Sequence, residues 1–285
     1  MADKNKSILK GKNYIKGAKA GYLNKARFQN EVNFYKKVQN HKLKYLLIPE
    51  VRFESSKEEL VLQYIEGEKQ TFPSTHKLIS AYSEFQNLEN NFNSNKNLLS
   101  KITKGYFYKI CIVSLFKLGS KFRWKEILQI WLLFFRLNFH STQQGRAFRL
   151  HGDLYLNNII ITETEKIAFI DFENTFTNKK WPLEEIVGYC FFFDDENIQF
   201  NEIYLQEYIC QNSHILKLDE IQLLYQIRFG VLHQAIKSIV QTQGDLKRQA
   251  YKDLLYTVCS RKKFQSWLAA NLAGTLQTSV NSQDK

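Results

Sequence analysis

Proline and glycine are scarce, 3 and 12 in 285 residues. So few residues suited to tight turns favour a helix-rich chain with few Gly-dependent connections. Cysteine is sparse too: Cys111, Cys190, Cys210 and Cys259 lie far apart with no C-x-x-C pair, which excludes a visible zinc or redox motif and leaves buried thiols as the expectation. The first residues, MADKNKSILKGKN, have no apolar core of the signal-peptide kind, so an intracellular, cytoplasmic protein is expected. No apolar run is long enough to span a bilayer. ICIVSLF and ILQIWLLFF, the longest, are short, and Lys117, Lys121, Arg123 and Lys125 interrupt the region. There is no run of five or six basic residues, so a nucleic-acid tail is not expected, and no internal repeat is visible.

What is present is a globular composition, 44% apolar and 14% aromatic, on a chain long enough for a large core. The formal charge of +12 suits anionic partners such as nucleotides, anionic lipid heads or phosphorylated sugars, but a solvated lysine-rich surface is the plainer reading. The run ILQIWLLFF is apolar all round, as in a core helix. A basic helix lying on a membrane is the other reading of residues 104–139.

Residues 8–18 read as extended, with Lys16 in the middle of a Tyr14-Ile15-Lys16 strand. A helix follows over roughly 24–38, with Asn24 able to cap it and Phe28, Val32, Tyr35 and Val38 at helical spacing. Glu31 lies near that apolar stripe, and a carboxylate there needs a partner. Ile48–Val51 and Leu60–Ile65 read as strands, and a boundary falls near 66–72. The division expected is a short N-terminal lobe over 1–67, a large lobe over 68–275 and a tail over 276–285. Residues 74–140 read as helices. Asn158–Thr162 and Lys166–Asp171 read as a hairpin around Glu163-Thr164-Glu165. Beyond Trp181-Pro182 the chain is again helical, with Asp194-Asp195-Glu196 read as a solvated helix start in preference to an acidic pocket for a cationic acceptor, and Asp219 capping a helix that bears Ile221, Leu224, Phe229, Leu232, Ile236 and Ile239.

The segment LHGDLYLNNIII places His151, Asp153, Asn157 and Asn158 just ahead of that hairpin, and Asp171 lies at its exit. A hairpin joins its two ends, so the side-chain oxygens of Asp153, Asn158 and Asp171 are expected to converge. Such oxygens suit magnesium, which commonly holds substrate phosphates, and a carboxylate beside the metal can orient an acceptor hydroxyl and take its proton.

H-G-D-L-x-x-x-N (His151 to Asn158) followed by I-D-F-E (Ile170 to Glu173) resembles the aminoglycoside phosphotransferase and choline kinase-like family, small-molecule kinases with the protein-kinase fold. The resemblance implies an α+β, bilobal protein-kinase-like fold, with a small strand-rich N-lobe, here trimmed, and a large helical C-lobe. It implies Asp153 as the catalytic residue, His151 as a support of the catalytic loop, and Asn158 and Asp171 as magnesium ligands, with Glu173 near them. Asn157 has no assigned role. Lys16 resembles the ATP lysine and Glu31 its helix partner; Lys12 and Lys19 compete for that place. The backbone of about Gln63 to Ile65 is expected to bond the adenine. Glu185 stands where the family has a buttressing Asp.

The sequence departs from the family pattern before Lys16, where Gly11 is the one glycine and no G-x-G-x-x-G occurs. Gly152, and the short stretch between Asp171 and Trp181 with no A-P-E after it, favour a small-molecule acceptor over a peptide. The expectation is therefore an enzyme using ATP and Mg2+ to phosphorylate a small-molecule hydroxyl. A kinase-like binding module without catalysis is its rival, and peripheral membrane contact is a further partner to test.

Overall fold

The computed structural model describes residues 7–10, 13–17, 22–39, 41–54, 59–69, 73–88, 122–141, 146–194, 197–242 and 244–272. The chain forms two compact units, neither of them one stretch of sequence: Met1–Phe92 with Arg149–Thr177, and Asn93–Phe148 with Asn178–Lys285.

In the first unit, β1 (Ser7–Lys10), β2 (Asn13–Gly17), β4 (Val51–Glu54) and β5 (Glu59–Gln63) form an antiparallel sheet in the order β1-β2-β5-β4. Period-two alternation buries Leu60 and Leu62 on one face of β5. Phe28, Val32, Tyr35 and Val38 are buried along α1 (Tyr22–Val38), as their spacing predicts, and Phe28 meets Phe53 of β4 with ring centroids 6.4 Å apart. The strand expected from Ile48 begins only at Val51. Pro49 has no N–H for a ladder, and Gln63 N–H donates to the Glu50 carbonyl just before the strand starts.

A second sheet has the order β3-β9-β8-β6, built from β3 (Leu46–Leu47), β6 (Gly67–Lys69), β8 (Ile159–Thr162) and β9 (Ile167–Phe169). The expected hairpin is its β8–β9 pair, with Ile159 opposite Phe169 and Glu165 left-handed in the turn (φ 58°). The segment at the expected lobe boundary pairs with this hairpin through β6, where Gly67 lies opposite Thr162. A Cβ on Gly67 would stand 2.2 Å from the Ile161 carbonyl oxygen, so only glycine lets the strands approach this closely. α2 (Thr75–Asn87) belongs to this unit, while β7 (Phe148–Leu150) and β10 (Phe176–Asn178) form a short pair of their own.

The second unit holds α3 (Trp124–His140), α4 (Glu184–Tyr189), α5 (Glu202–Leu216), α6 (Glu220–Gln241), α7 (Asp245–Cys259) and α8 (Arg261–Asn271). Gly230 of α6 lets α4 approach closely, since a Cβ there would meet Val187 Cβ at 2.6 Å. Asp219 caps α6 as expected, its side chain accepting from Gln222 N–H at 2.7 Å. Phe229, Leu232, Ile236 and Ile239 are buried, but Ile221 is exposed, and Leu223 and Ile227 take the inward positions of the first turns.

Two expectations about chain segments are corrected. The helix start at Asp194-Asp195-Glu196 is instead a hairpin of β11 (Phe191–Asp194) and β12 (Asn197–Phe200), with Asp194 opposite Asn197; Asp195 and Glu196 lie outside the described residues. Phe191, Phe200 and Trp267 form one aromatic cluster, so packing fixes the strands. The ILQIWLLFF helix is not a core helix on all sides: Ile127, Ile130, Leu133, Phe134 and Leu137 of α3 are buried, while Leu128, Leu132 and Phe135 are exposed. Of the thiols, Cys190 is buried, Cys259 partly so and Cys210 exposed, and Cys111 lies outside the described residues. Among the described residues no helix is long and apolar enough to cross a membrane.

Candidate active site

Lys16 sits in the middle of β2 and is 5% exposed, so its ammonium needs partners inside the fold. It finds them at 2.6 Å in Glu31 Oε2 of α1 and at 2.6 Å in Asp171 Oδ1 beyond β9, with Glu173 Oε2 at 3.7 Å. This pairing explains the carboxylate on an apolar helix. Lys12 and Lys19 lie outside the described residues. Burial works against the Lys16 charge, but the fields and hydrogen bonds of Glu31 and Asp171 outweigh it and hold the ammonium above the usual lysine range. Three carboxylates share this one cation. Burial, reinforced by repulsion from Asp171 and Glu173, lifts the Glu31 carboxyl to about 7 in spite of Lys16.

The loop opposite is held by its backbone. His151 is fully buried, and its Nε2–H donates to the Ile170 carbonyl at 2.9 Å, tying the loop to the residue before Asp171. Asn158 Nδ2–H donates to the backbone carbonyl of Asp153 at 2.8 Å, which leaves Oδ1 as its ligand atom. Ile170 N–H donates to the Asn158 carbonyl at 3.0 Å, so Asn158 and Asp171 flank one end of the hairpin. Asp171 itself is left-handed (φ 66°), a conformation Asp tolerates better than most residues and one typical of sites where backbone strain is retained for function. Phe172 turns inward, stacked on Phe34 with centroids 4.1 Å apart. Asn30 Nδ2 donates to the carbonyls of Glu173 (3.1 Å) and Thr175 (2.9 Å), fixing this strand-exit segment to α1.

Gly152 is confined by geometry. Its φ is +83°, and a Cβ would stand 2.2 Å from the Asn174 carbonyl oxygen. Gly152→Ala is expected to cost at least about 2 kcal/mol, the left-handed strain plus the displacement of the backbone of residue 174. Urea unfolding checks this, and an unchanged midpoint would show that the loop tolerates a side chain.

The structure thus brings Lys16, Glu31, Asp171 and Glu173 together, links Asp153 to Asn158 through one hydrogen bond, and seats His151 beneath Ile170. Asn157 is exposed. The Gln63 N–H donates to the Glu50 carbonyl at 2.8 Å, because β5 extends through it. Tyr64 and Ile65 follow β5 and lie in no strand. Glu185 is buried, and the adjacent Glu184 pairs with His233 of α6. Asn30 and Phe34 escaped the sequence reading; their one signal was adjacency to Glu31 on the helix.

Carboxylate oxygens of Glu31, Asp171 and Glu173 all lie within 4.8 Å of one another. Oxygen donors of this kind fit a hard divalent cation such as magnesium.

Residues 114–220 match the family model described as the phosphotransferase enzyme family, APH. An ADP-bound aminoglycoside phosphotransferase, APH(2'')-Ib, aligns over 92% of this chain and 94% of its own at 15% identity with a TM-score of 0.56. A choline/ethanolamine kinase family protein from Mesorhizobium loti aligns over 96% and 91% at 14% identity, TM-score 0.57. The choline kinase LicA from Streptococcus pneumoniae aligns over 90% of each chain at 14% identity, TM-score 0.53. The chain has the kinase-like fold of aminoglycoside phosphotransferases and choline kinases. The resemblance read from His151–Asn158 and Ile170–Glu173 is therefore shown, and both segments lie inside the stretch matched by the phosphotransferase model. No curated protein sequence matches the chain.

Proposed function

We propose that this phosphotransferase-like protein moves the γ-phosphoryl group of ATP to a hydroxyl of a small molecule, a sugar, amino alcohol or glycan precursor. The observation that carries the reading is Lys16 Nζ held at 2.6 Å from both Glu31 and Asp171. A buried ammonium fixed in this way is preset to grip anionic phosphates, at little further cost in ordering. Asp171 and Asn158, with Glu173 beside them, would hold magnesium, which neutralises charge on the phosphates as they are transferred. Asp153 orients the acceptor hydroxyl and accepts its proton.

The site is built for charge and position: Lys16 faces the phosphates, Glu31 fixes Lys16, and the Asn158 bond sets the Asp153 backbone. The competing reading is a kinase-like module that binds without catalysis. What favours it is the β1–β2 connection, residues 11 and 12, which carries a single glycine where a phosphate-covering loop would be richer.

Calorimetry with ATP and magnesium tests the nucleotide site, and phosphoryl transfer to a panel of hydroxyl acceptors separates the two readings. The wild type is expected to bind and Asp171→Ala to bind at least about tenfold more weakly, the loss of one charged partner. Absence of binding in the folded wild type overturns the proposal.

A further inference from the structure

Helix α3 has two apolar faces, and only one is buried. Ile127, Ile130, Leu133, Phe134 and Leu137 are buried. On the opposite side Trp124 is 73% exposed, Leu128 55%, Leu132 60%, Phe135 49% and Phe139 84%. At roughly 100° per residue these five side chains fall within about 80° of one another, a continuous stripe along the whole helix. Large apolar side chains scattered singly are ordinary on a surface; five aligned on one helix are not.

The charges beside the stripe have one sign. Glu126, the single acid of α3, is already engaged, accepting from Tyr256 OH at 2.9 Å and from Arg123 N–H at 2.8 Å. Lys125 and Arg136 are exposed on the same helix, and Arg136 and Arg261 lie near enough to Arg228 for their repulsion to act on it. Lys252 of α7 adds a further cation, 5.2 Å from the centroid of the Phe122 ring. Apolar side chains flanked by cations on a helix too polar at its edges to span match a helix lying in the boundary between headgroups and acyl chains.

We propose that α3 docks this protein on an anionic lipid bilayer, with Trp124, Leu128, Leu132, Phe135 and Phe139 in the acyl boundary and the neighbouring Lys and Arg side chains at the headgroups. The proposal rests on the second unit alone and is independent of the phosphotransfer chemistry.

Co-sedimentation of the full chain with phosphatidylcholine vesicles, with and without phosphatidylglycerol, tests it. The wild type is expected to pellet with the phosphatidylglycerol vesicles, less so as salt rises, and its tryptophan emission to shift blue. Leu132→Ser/Phe139→Ser is expected to fold normally, since both side chains are exposed, and to lower vesicle partitioning at least about tenfold. Absence of binding, or binding that the double substitution leaves unchanged, overturns the proposal. So does a solution dimer that the double substitution dissociates, which assigns the stripe to a second copy. Slow maleimide labelling of Leu132→Cys without vesicles overturns it as well, because the stripe is then already covered.

Discussion

Lys16→Met abolishes nucleotide binding and lowers stability by about 3–5 kcal/mol, the usual cost of leaving buried charges without their partner. Methionine matches the length of the lysine stem, so the loss is that of charge, not of packing. Without the ammonium, Glu31, Asp171 and Glu173 face one another with oxygens within 4.8 Å. Glu31, buried at 1% exposure, has no route to water. Urea unfolding and calorimetry read the two effects separately. A second substitution separates their causes: Glu31→Gln in the Lys16→Met background removes a repelling charge and restores much of the stability, yet nucleotide binding stays absent. Lys16→Arg does not rescue, because a guanidinium fork does not fit a site shaped for a point charge 2.6 Å from two oxygens. Wild-type stability in Lys16→Met would show that the three acids do not depend on this cation.

Asp153→Ala reduces phosphoryl transfer by about 10²–10⁴-fold, the usual contribution of a positioned base, and leaves nucleotide affinity within about threefold. The two readouts part because the bond that shapes the loop, Asn158 Nδ2–H to Asp153, uses the backbone carbonyl at 2.8 Å. Alanine keeps that carbonyl. Loop geometry, and with it Asn158, survives the loss of the carboxylate. Asp153→Asn, which retains size and loses the basic oxygen, is expected to fall as far. A variant that folds yet no longer binds nucleotide would contradict the assignment of Asp153 to the acceptor side.

The kinase-like fold was legible where chemistry forced unusual residues into apolar surroundings. A glutamate on the stripe of Phe28, Val32 and Tyr35 demanded a cation, and Lys16 supplies it. The polar run before Ile159-Ile160-Ile161 demanded a turn into a hairpin, and β8–β9 is that hairpin. Other features left no local trace. In ILQIWLLFF apolar residues occupy every side of the helix, so periodicity cannot say which face the core takes. Phe191-Phe192-Phe193 gives no alternation by which to tell strand from helix, and its pairing with β12 is set by distant Trp267. The engagement of Gln63 N–H depends on where β4 begins, and a proline two residues upstream moved that start. Gly152 stood out in the sequence for what it replaces; its positive φ and the Asn174 carbonyl beside it are properties of the folded loop.

The lysine and its aspartate are separated by 155 residues, and the two central strands of the β3-β9-β8-β6 sheet come from the later part of the chain. At synthesis rates of about 5–20 residues per second, Lys16 leaves the ribosome roughly 8–30 s before Asp171 does. Until β8 and β9 follow, β3 and β6 lack the strands they pair with, and until Asp171 and Glu173 follow, Glu31 does not share Lys16 with them. The charge cluster of Lys16, Glu31 and Asp171 is therefore among the last features of its unit to form, and closing so long a loop is slow. A nascent chain stalled before Ile159 exposes the unpaired edges of β3 and β6 to whatever chaperone or neighbouring chain meets it first.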